Sequence, residues 1–224
     1  EINDAYGSAV YIKVGEQLTL RDLVYALMLR SGNDAALVIA EYVGQDEFVE
    51  MMNSKAQEIG MKNTTFNNPC GLDEENGNYS TAYDLALITR YAKTNDTLSK
   101  MMGTKSITVN FGKVPKYLAN TNRLLSTYVY CDGGKTGFTE IAKRTLVSTA
   151  TKENTNLVVV TLNDGNDWQD HQNLFEYGFN NYTNIELLEK GNINIYNEQY
   201  YEDYTMYVKN DFSYLMGANE KNNL

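Results

Sequence analysis

Apolar residues recur at helical spacing near the start of the chain, in three stretches separated by short polar breaks. The first stretch follows Thr19, which can cap a helix, with Asp22 three positions later in a variant of the capping box. The second, 35–44, is apolar on nearly every side, which is typical of a buried central helix. The third covers about 46–59, and the tripeptide Ser-Gly-Asn at 31–33 separates the first two. The residues predicted to face inward from the first and third helices are Leu20, Leu23, Val24, Leu27, Met28, Phe48, Met51, Met52 and Ile59.

The pattern then changes from helical to strand periodicity. A stretch rich in Asn, Thr, Gly and Pro predicts a long irregular loop, and two β-rich runs joined by a polar turn indicate an antiparallel hairpin. The predicted elements are a loop at 63–79, helices at 82–93, 120–125 and 167–178, and strands at 105–109, 145–150 and 157–162. In the helix at 167–178 the residues predicted to face inward are Trp168, Leu174, Phe175 and Phe179.

The last part of the chain is rich in tyrosine and poor in helical signal. We predict short strands there at 185–190, 193–196 and 204–208, and we interpret the tyrosines as strand packing rather than a glycan-binding surface. The order of elements indicates an α/β chain of the α+β type, with a central antiparallel sheet flanked by helices. We divide the chain into this domain, residues 1–180, and a small β-rich domain, residues 181–224, with the boundary near 180–184.

Composition narrows the classes of function. Lys and Arg number 19 against 29 Asp and Glu, a net charge of −10, which argues against a nucleic-acid partner because that affinity depends on basic side chains. Two cysteines and one histidine are too few for a structural zinc site, so we expect no metal and no cofactor. A Ser-His-Asp triad would need His171, which the helical pattern places on a surface. Proton transfer is therefore expected from lysine or carboxylate.

Two short motifs carry candidate chemistry. Ser31 and Asn33, at the break between two helices, offer a hydroxyl and an amide to one side of a cleft. Lys135, Thr136 and Gly137, in a glycine-rich strand, offer an ammonium, a hydroxyl and backbone groups to the other side. Each tripeptide alone is compatible with a helix stop or a solvated lysine. Together they predict a groove for an extended peptide with a free carboxyl terminus, bound by strand addition.

The chain resembles the low-molecular-mass penicillin-binding D-alanyl-D-alanine carboxypeptidases, serine peptidase family S11. The tripeptide at 31–33 matches the family's S-x-N motif, and that at 135–137 matches its K-T-G motif. The resemblance covers residues 7 to about 180 and implies a β-lactamase/DD-peptidase-like fold followed by the family's small second domain. Other segments that read like the family are 14–19, 29–36, 60–64, 68–73, 79–86, 132–139 and 177–179.

The resemblance implies a serine acyl-transfer cycle on peptidoglycan stem peptides, with β-lactam antibiotics as further ligands that trap the nucleophile. It implies that Ser31 relays a proton to the leaving amine, and that Asn33 holds the substrate amide and the general-base lysine. Lys135 is implied to bind the substrate carboxylate, and the backbone N–H of Phe138 to contribute to the oxyanion hole. The implied substrate-binding residues are Lys135, Thr136, Gly137, Phe138 and Thr139.

One family motif has no match in this chain. The implied nucleophile and general base lie in an S-x-x-K motif tens of residues before S-x-N, and no serine here has lysine three positions later. We therefore expect residues 1–224 to be a fragment without its S-x-x-K segment and to be inactive alone. A non-catalytic homologue that binds cell-wall peptides, and a serine β-lactamase, remain as alternatives. Core exposed beside the helix at 35–44 would favour self-association of the fragment.

Cellular location and cysteine pairing follow from the resemblance as expectations. We expect an extracytoplasmic protein, at the cell surface or secreted, or peripheral to a membrane. The resemblance places both Cys70 and Cys131 beside the cleft. A disulfide between them and two thiols are equally compatible with the sequence.

Overall fold

The computed structural model describes residues 6–73, 77–193, 205–217 and 220, and its helices and antiparallel strands confirm the α+β class. The helices in these ranges are α1 (Leu20–Arg30), α2 (Asn33–Val43), α3 (Gln45–Glu58), α4 (Ala82–Lys93), α5 (Asp96–Met102), α6 (Leu124–Thr127) and α7 (Asp167–Asn181). The strands are β1 (Ser106–Phe111), β2 (Val114–Ala119), β3 (Cys131–Thr139), β4 (Lys143–Lys152), β5 (Thr155–Leu162), β6 (Tyr182–Leu188), β7 (Gly191–Ile193), β8 (Met206–Val208) and β9 (Phe212–Gly217).

Helix α1 begins where the capping pattern predicts it. Thr19 Oγ1 accepts the N–H of Asp22 at 3.1 Å and donates to the Asp22 carboxylate at 2.8 Å, so a backbone donor without a partner inside the helix is satisfied. The helix ends at Ser31, whose backbone is left-handed with φ 54° and ψ 40°. Gly32 follows in an extended conformation, and α2 starts at Asn33. The Ser-Gly-Asn break is therefore a sharp junction between two helices.

One apolar core lies between α1 and the hairpin of β1 and β2. Ala26, Leu29 and Phe111 are fully buried in it. The sequence pattern predicts β1, but it predicts neither β2 nor α5. Strand β2 carries a single fully buried residue, Leu118, and α5 is only seven residues long, so neither has enough periodic apolar positions to be recognised.

A second core lies behind a three-stranded antiparallel sheet of order β3-β4-β5. The hairpin predicted from 145–150 and 157–162 is confirmed as β4 and β5. Helix α7 covers one face, where Phe175 packs with Leu146 and stacks on Tyr128 with ring centroids 5.6 Å apart. Within the described residues β3 pairs only with β4, so β3 lies at an edge of this sheet.

The surface position predicted for His171 is wrong. Its side chain is 0% exposed, with Nδ1 2.5 Å from Ser148 Oγ and Nε2 3.0 Å from Thr161 Oγ1. Burial disfavours the imidazolium and lowers the pKa of His171 to about 4. The helix periodicity does not reveal this, because the hydroxyls that make a polar ring acceptable in the core come from β4 and β5.

Several other inward faces are also corrected. Leu20, Met51 and Leu174 are exposed, because their helices contact the rest of the protein over a narrower stripe than the predicted faces. Helix α2 is buried mainly in its first turn, whereas Tyr42 near its end is 93% exposed. The prediction that 35–44 is buried on nearly every side is therefore wrong for 41–44, whereas Ala40 is fully buried.

The remaining elements agree with the sequence to within a few residues. The helix at 82–93 is confirmed as α4, and the helix expected at 120–125 is the later and shorter α6. The loop at 63–79 is irregular in its described part and is crossed by one antiparallel bridge between Thr65 and Tyr79. No helix in the described ranges is both long and apolar enough to cross a bilayer.

After α7 the chain forms two small antiparallel ladders, β6 with β9 and β7 with β8. Strand β6 overlaps the strand predicted at 185–190, and β8 overlaps that at 204–208. Residues 194–196 of another predicted strand lie outside the described residues. The domain boundary near 180–184 stays a prediction.

Candidate active site

The Ser-Gly-Asn junction is fixed by a buried carboxylate that follows it. Asp34, 2% exposed, accepts the backbone N–H groups of Val10 and Ile12, each at 3.0 Å, and that of Ala35 at 3.0 Å. A buried carboxylate with several N–H donors is well satisfied. It holds the segment at 6–12 against the start of α2.

Asn33 is bound to that same segment through its backbone and its side chain. Its N–H donates to Ser8 O at 2.8 Å, and Nδ2 donates to Tyr6 O at 2.7 Å. Because a carbonyl can only accept, the amide is oriented with Nδ2 toward Tyr6, which leaves Oδ1 as an acceptor. Gly7 has φ +81°, and a Cβ there would lie 3.1 Å from Asn33 Nδ2, so a side chain at this position would disturb the amide.

The Lys-Thr-Gly motif lies on β3 and is pressed against β4. Gly134 has φ +139°, and a Cβ on it would collide with Val147 O. A Cβ on Gly137 would collide with Thr145 Oγ1. These glycines therefore let the two strands approach closely and hold Lys135 at a defined place on the edge strand.

The two motifs meet directly. Lys135 Nζ donates to Ser31 Oγ and, at 2.6 Å, to Thr136 O. Burial lowers the pKa of Lys135 from 10.5 to about 8. The ammonium is thus still the main form at neutral pH, and it is a stronger acid than an ordinary lysine. A hydroxyl beside such an ammonium can take part in proton transfer, and the positive charge suits a carboxylate.

The neighbouring motif residues have different environments. Thr136 Oγ1 lies 2.7 Å from Thr121 Oγ1, and Phe138 is 64% exposed. Thr139 Oγ1 accepts the N–H of Ala142 at 2.9 Å, so this hydroxyl bonds within the turn between β3 and β4. Thr136 is therefore the hydroxyl of the strand that stands beside Lys135.

Asp73 joins the irregular loop to the β3–β4 turn and to the N-terminal segment. Asp73 Oδ2 accepts the N–H of Ile141 at 3.0 Å, and Asp73 O accepts the Tyr6 hydroxyl at 3.3 Å. The loop, the N-terminal segment and the turn therefore contact one another through a single loop residue.

Sequence reasoning misses a polar cluster at the start of β3. Asp132 is the extra residue of a β-bulge at 131–133, and its carboxylate accepts hydrogen bonds from Thr149 Oγ1 at 2.5 Å and Thr151 Oγ1 at 2.7 Å. Lys93 Nζ lies 3.2 Å from Asp132 Oδ1. Burial raises the pKa of Asp132, but these hydrogen bonds and the lysine charge outweigh it, so the net pKa is lowered. An acidic residue three positions before the motif lysine was the available signal.

Both cysteines are thiols. Cys70 Sγ donates to Asn68 Oδ1 and Cys131 Sγ to Gly133 O, each at 3.6 Å, and the structure joins neither in a disulfide. Burial raises the pKa of the Cys131 thiol. Within the described ranges, no group of three His, Cys, Asp or Glu side chains could hold a metal ion.

Comparison with known proteins gives consistent matches. A family model for D-alanyl-D-alanine carboxypeptidase (peptidase S11) matches residues 2–166. The D-alanyl-D-alanine carboxypeptidase DacF of Bacillus subtilis (strain 168) is 40% identical over 157 residues, which is 69% of this chain and 40% of that protein. The chain spans between 40% and 62% of the length of the curated relatives it matches.

Solved structures agree in fold. The crystal structure of D-alanyl-D-alanine carboxypeptidase from Mycobacterium tuberculosis H37Rv is 33% identical, with a TM-score of 0.76 over 80% of this chain and 71% of that one. The carboxypeptidase DacD from Francisella tularensis is 25% identical, with a TM-score of 0.79 over 97% of this chain and 67% of that one. With its family match over most of its length and its two motifs in contact, the chain belongs to the D-alanyl-D-alanine carboxypeptidase family, peptidase S11.

Proposed function

We propose that this chain provides the Ser-x-Asn and Lys-Thr-Gly sides of the active site of a serine-type D-Ala-D-Ala carboxypeptidase. The observation that carries the proposal is the bond from Lys135 Nζ to Ser31 Oγ, which joins two motifs 104 positions apart in the sequence. Its substrate would be a peptidoglycan stem peptide that ends in a free carboxylate, and β-lactam antibiotics would compete for the same groove. Because those peptides lie outside the cytoplasmic membrane, we also propose an extracytoplasmic location.

The geometry supports a division of labour in acylation. The ammonium of Lys135 binds the terminal carboxylate, and Asn33 Oδ1, turned away from Tyr6, accepts a hydrogen bond from a substrate N–H or an incoming lysine. A nucleophilic serine gives its proton to the general-base lysine of its S-x-x-K motif and forms the acyl bond as the peptide C–N bond breaks. Ser31 then gives its proton to the departing amine and recovers one from that general-base lysine, while Lys135, with its pKa of about 8, stays mainly protonated and holds the substrate carboxylate. Water hydrolyses the acyl-enzyme in the second half of the cycle.

The nucleophile has to come from an S-x-x-K serine, which no serine among residues 1–224 provides. The same observation is compatible with a second candidate function, a homologue that binds cell-wall peptides without cleaving them. The two candidates share the groove and the carboxylate contact, and they differ in whether an acyl-enzyme forms. A serine β-lactamase would form the acyl-enzyme and turn it over rapidly on penicillin.

The test is acylation by a fluorescent penicillin and release of D-Ala from a D-Ala-D-Ala peptide. We expect residues 1–224 to do neither, and a longer form of the protein that includes an S-x-x-K serine to do both. In that longer form Lys135→Met should lower kcat/KM by about 10²–10³-fold, as for loss of one preorganised electrostatic contact. Lys143→Met, at an exposed lysine that begins β4, is the matched control.

Each other outcome selects an alternative. Acylation of residues 1–224 would place the nucleophile within this chain and overturn our assignment. Peptide binding without acylation in the longer form would identify a binding protein. Turnover of penicillin faster than that of the peptide would identify a β-lactamase.

A further inference from the structure

The hydroxyl pair formed by Thr121 and Thr136 points to a residue that the sequence motifs do not include. We propose that Thr121 is a positioning residue that orients the Thr136 hydroxyl toward the substrate carboxylate. The inference rests on the proposed function, since it assigns Thr121 to the carboxylate subsite of that same groove. Thr121 lies in the segment 120–123 between β2 and α6, outside both motifs.

Proton counting supports this role. The two hydroxyl oxygens lie 2.7 Å apart, so one of them donates to the other. If Thr136 donated its proton to Thr121, the Thr136 oxygen would present only lone pairs to the substrate carboxylate and could not donate to it. When Thr121 donates instead, the Thr136 proton is left for the carboxylate, and the chain of two hydroxyls strengthens that bond.

The neighbouring lysine completes the subsite. Lys135 has three N–H donors, of which one goes to Ser31 Oγ and one to Thr136 O. Its third N–H and the Thr136 hydroxyl are then two donors from adjacent residues, one for each carboxylate oxygen. Charge-assisted pairs of this kind are stronger and more directional than a single neutral hydrogen bond.

The position of Thr121 does not depend on its hydroxyl. Its backbone N–H donates to Leu29 O at 3.1 Å, which ties it to the end of α1 beside Ser31. The residues on either side of Thr121 have hydrogen bonds of their own. Asn120 N–H donates to Lys105 O at 2.8 Å, and Asn122 N–H donates to Asn120 Oδ1 at 2.9 Å. The Thr121 side chain is exposed, so removal of its hydroxyl should leave these backbone contacts intact.

The experiment compares two peptides on the 224-residue chain. Binding of N-acetyl-D-Ala-D-Ala and of its C-terminal amide is measured by NMR through the backbone amides of residues 135–139. We expect the parent to bind the acid more tightly than the amide. Thr121→Val should weaken binding of the acid about tenfold, as for loss of about one hydrogen bond, and leave the amide unchanged. Thr121→Ser, which keeps the hydroxyl, should bind like the parent.

Controls separate the possible failures. Thr94→Val removes an exposed hydroxyl that bonds Tyr91 O at the end of α4, and it should change neither affinity. Thr121→Ala replaces the valine variant if the latter unfolds. A parent that binds acid and amide equally would overturn the proposed carboxylate subsite, and this inference with it. If the parent prefers the acid, two results for Thr121→Val would overturn the role of Thr121 alone. The variant could prefer the acid to the same degree as the parent, or it could bind both peptides more weakly by the same factor.

Discussion

Burial of His171 makes the stability of the fold depend on pH in a calculable way. The ring lies between Ser148 and Thr161, and burial lowers its pKa from 6.5 to about 4, while the carboxylates of Asp164 and Asp167 oppose that shift. Between those two pH values the unfolded chain binds a proton that the folded chain does not. The free energy of unfolding therefore rises with pH in this window.

The magnitude follows from the difference between the two pKa values. About 2.5 pH units at 1.36 kcal/mol per unit is about 3 kcal/mol, which is a large part of the stability of an ordinary domain. This stabilisation is fully present above pH 6.5, decreases as the pH falls, and is lost at about pH 4. A charged imidazole would also lose its acceptor role toward one of the two hydroxyls.

The assay is urea unfolding at pH 7, 6, 5 and 4.5, for the parent and for His171→Gln. Glutamine does not titrate, so the variant should lose much less stability between pH 7 and 4.5 than the parent. The slopes are compared within each protein, which removes any constant cost of the substitution. Parallel pH profiles for the two proteins would refute the reasoning, because carboxylates would then account for all of the dependence.

Two further substitutions test how β3 packs. Gly134→Ala should destabilise the fold by about 3 kcal/mol or more in thermal unfolding, because its Cβ would collide with Val147 O and φ is positive there. Gly165→Ala is the control, since its Cβ would lie in open space, and it should change stability by less than about 1 kcal/mol. Equal effects of the two substitutions would contradict the close approach of β3 and β4. Asp132→Asn should lower the free energy of unfolding in urea by about 1–2 kcal/mol. Adding Lys93→Met to that variant should lower it little further, because the two charges form one pair. Additive losses in the double variant would exclude that coupling.

Local sequence signals locate the elements that carry the site but not the contacts between them. Ser-Gly-Asn is recognisable because a left-handed residue has to end α1 before α2 can begin. The glycines of β3 mark a strand that lies close to its neighbour. The bond between Lys135 and Ser31 spans 104 positions, so no periodicity encodes it, and it is expected from the pairing of the two motifs and from the family resemblance.

The errors have the same physical origin. His171 has a polar side chain on a helix, and it is buried because β4 and β5 supply hydroxyls that lie distant in the sequence. Leu20 and Met51 fit the helical period, but the neighbouring elements do not extend over them. The contact between Thr121 and Thr136 has no local pattern either, since it joins a residue between β2 and α6 to a hydroxyl on β3. Each case depends on tertiary partners that override local preference.

The two walls of the candidate site, one at Ser31 and one at Lys135, lie beside different apolar cores. The alignment of the site and the stability of the fold therefore depend on different contacts. Ser31 follows α1, which packs in the core with Phe111, whereas Lys135 lies on the sheet whose core contains Phe175. The bond from Lys135 Nζ to Ser31 Oγ joins these two parts, and Thr121, whose N–H donates to Leu29 O, contacts Thr136 of the sheet through its hydroxyl. Apolar burial supplies most of the folding free energy, so loss of one polar bridge should change the relative position of the walls more than it changes global stability. Substitutions at these bridges should therefore reduce recognition of the peptide carboxylate while the chain remains folded.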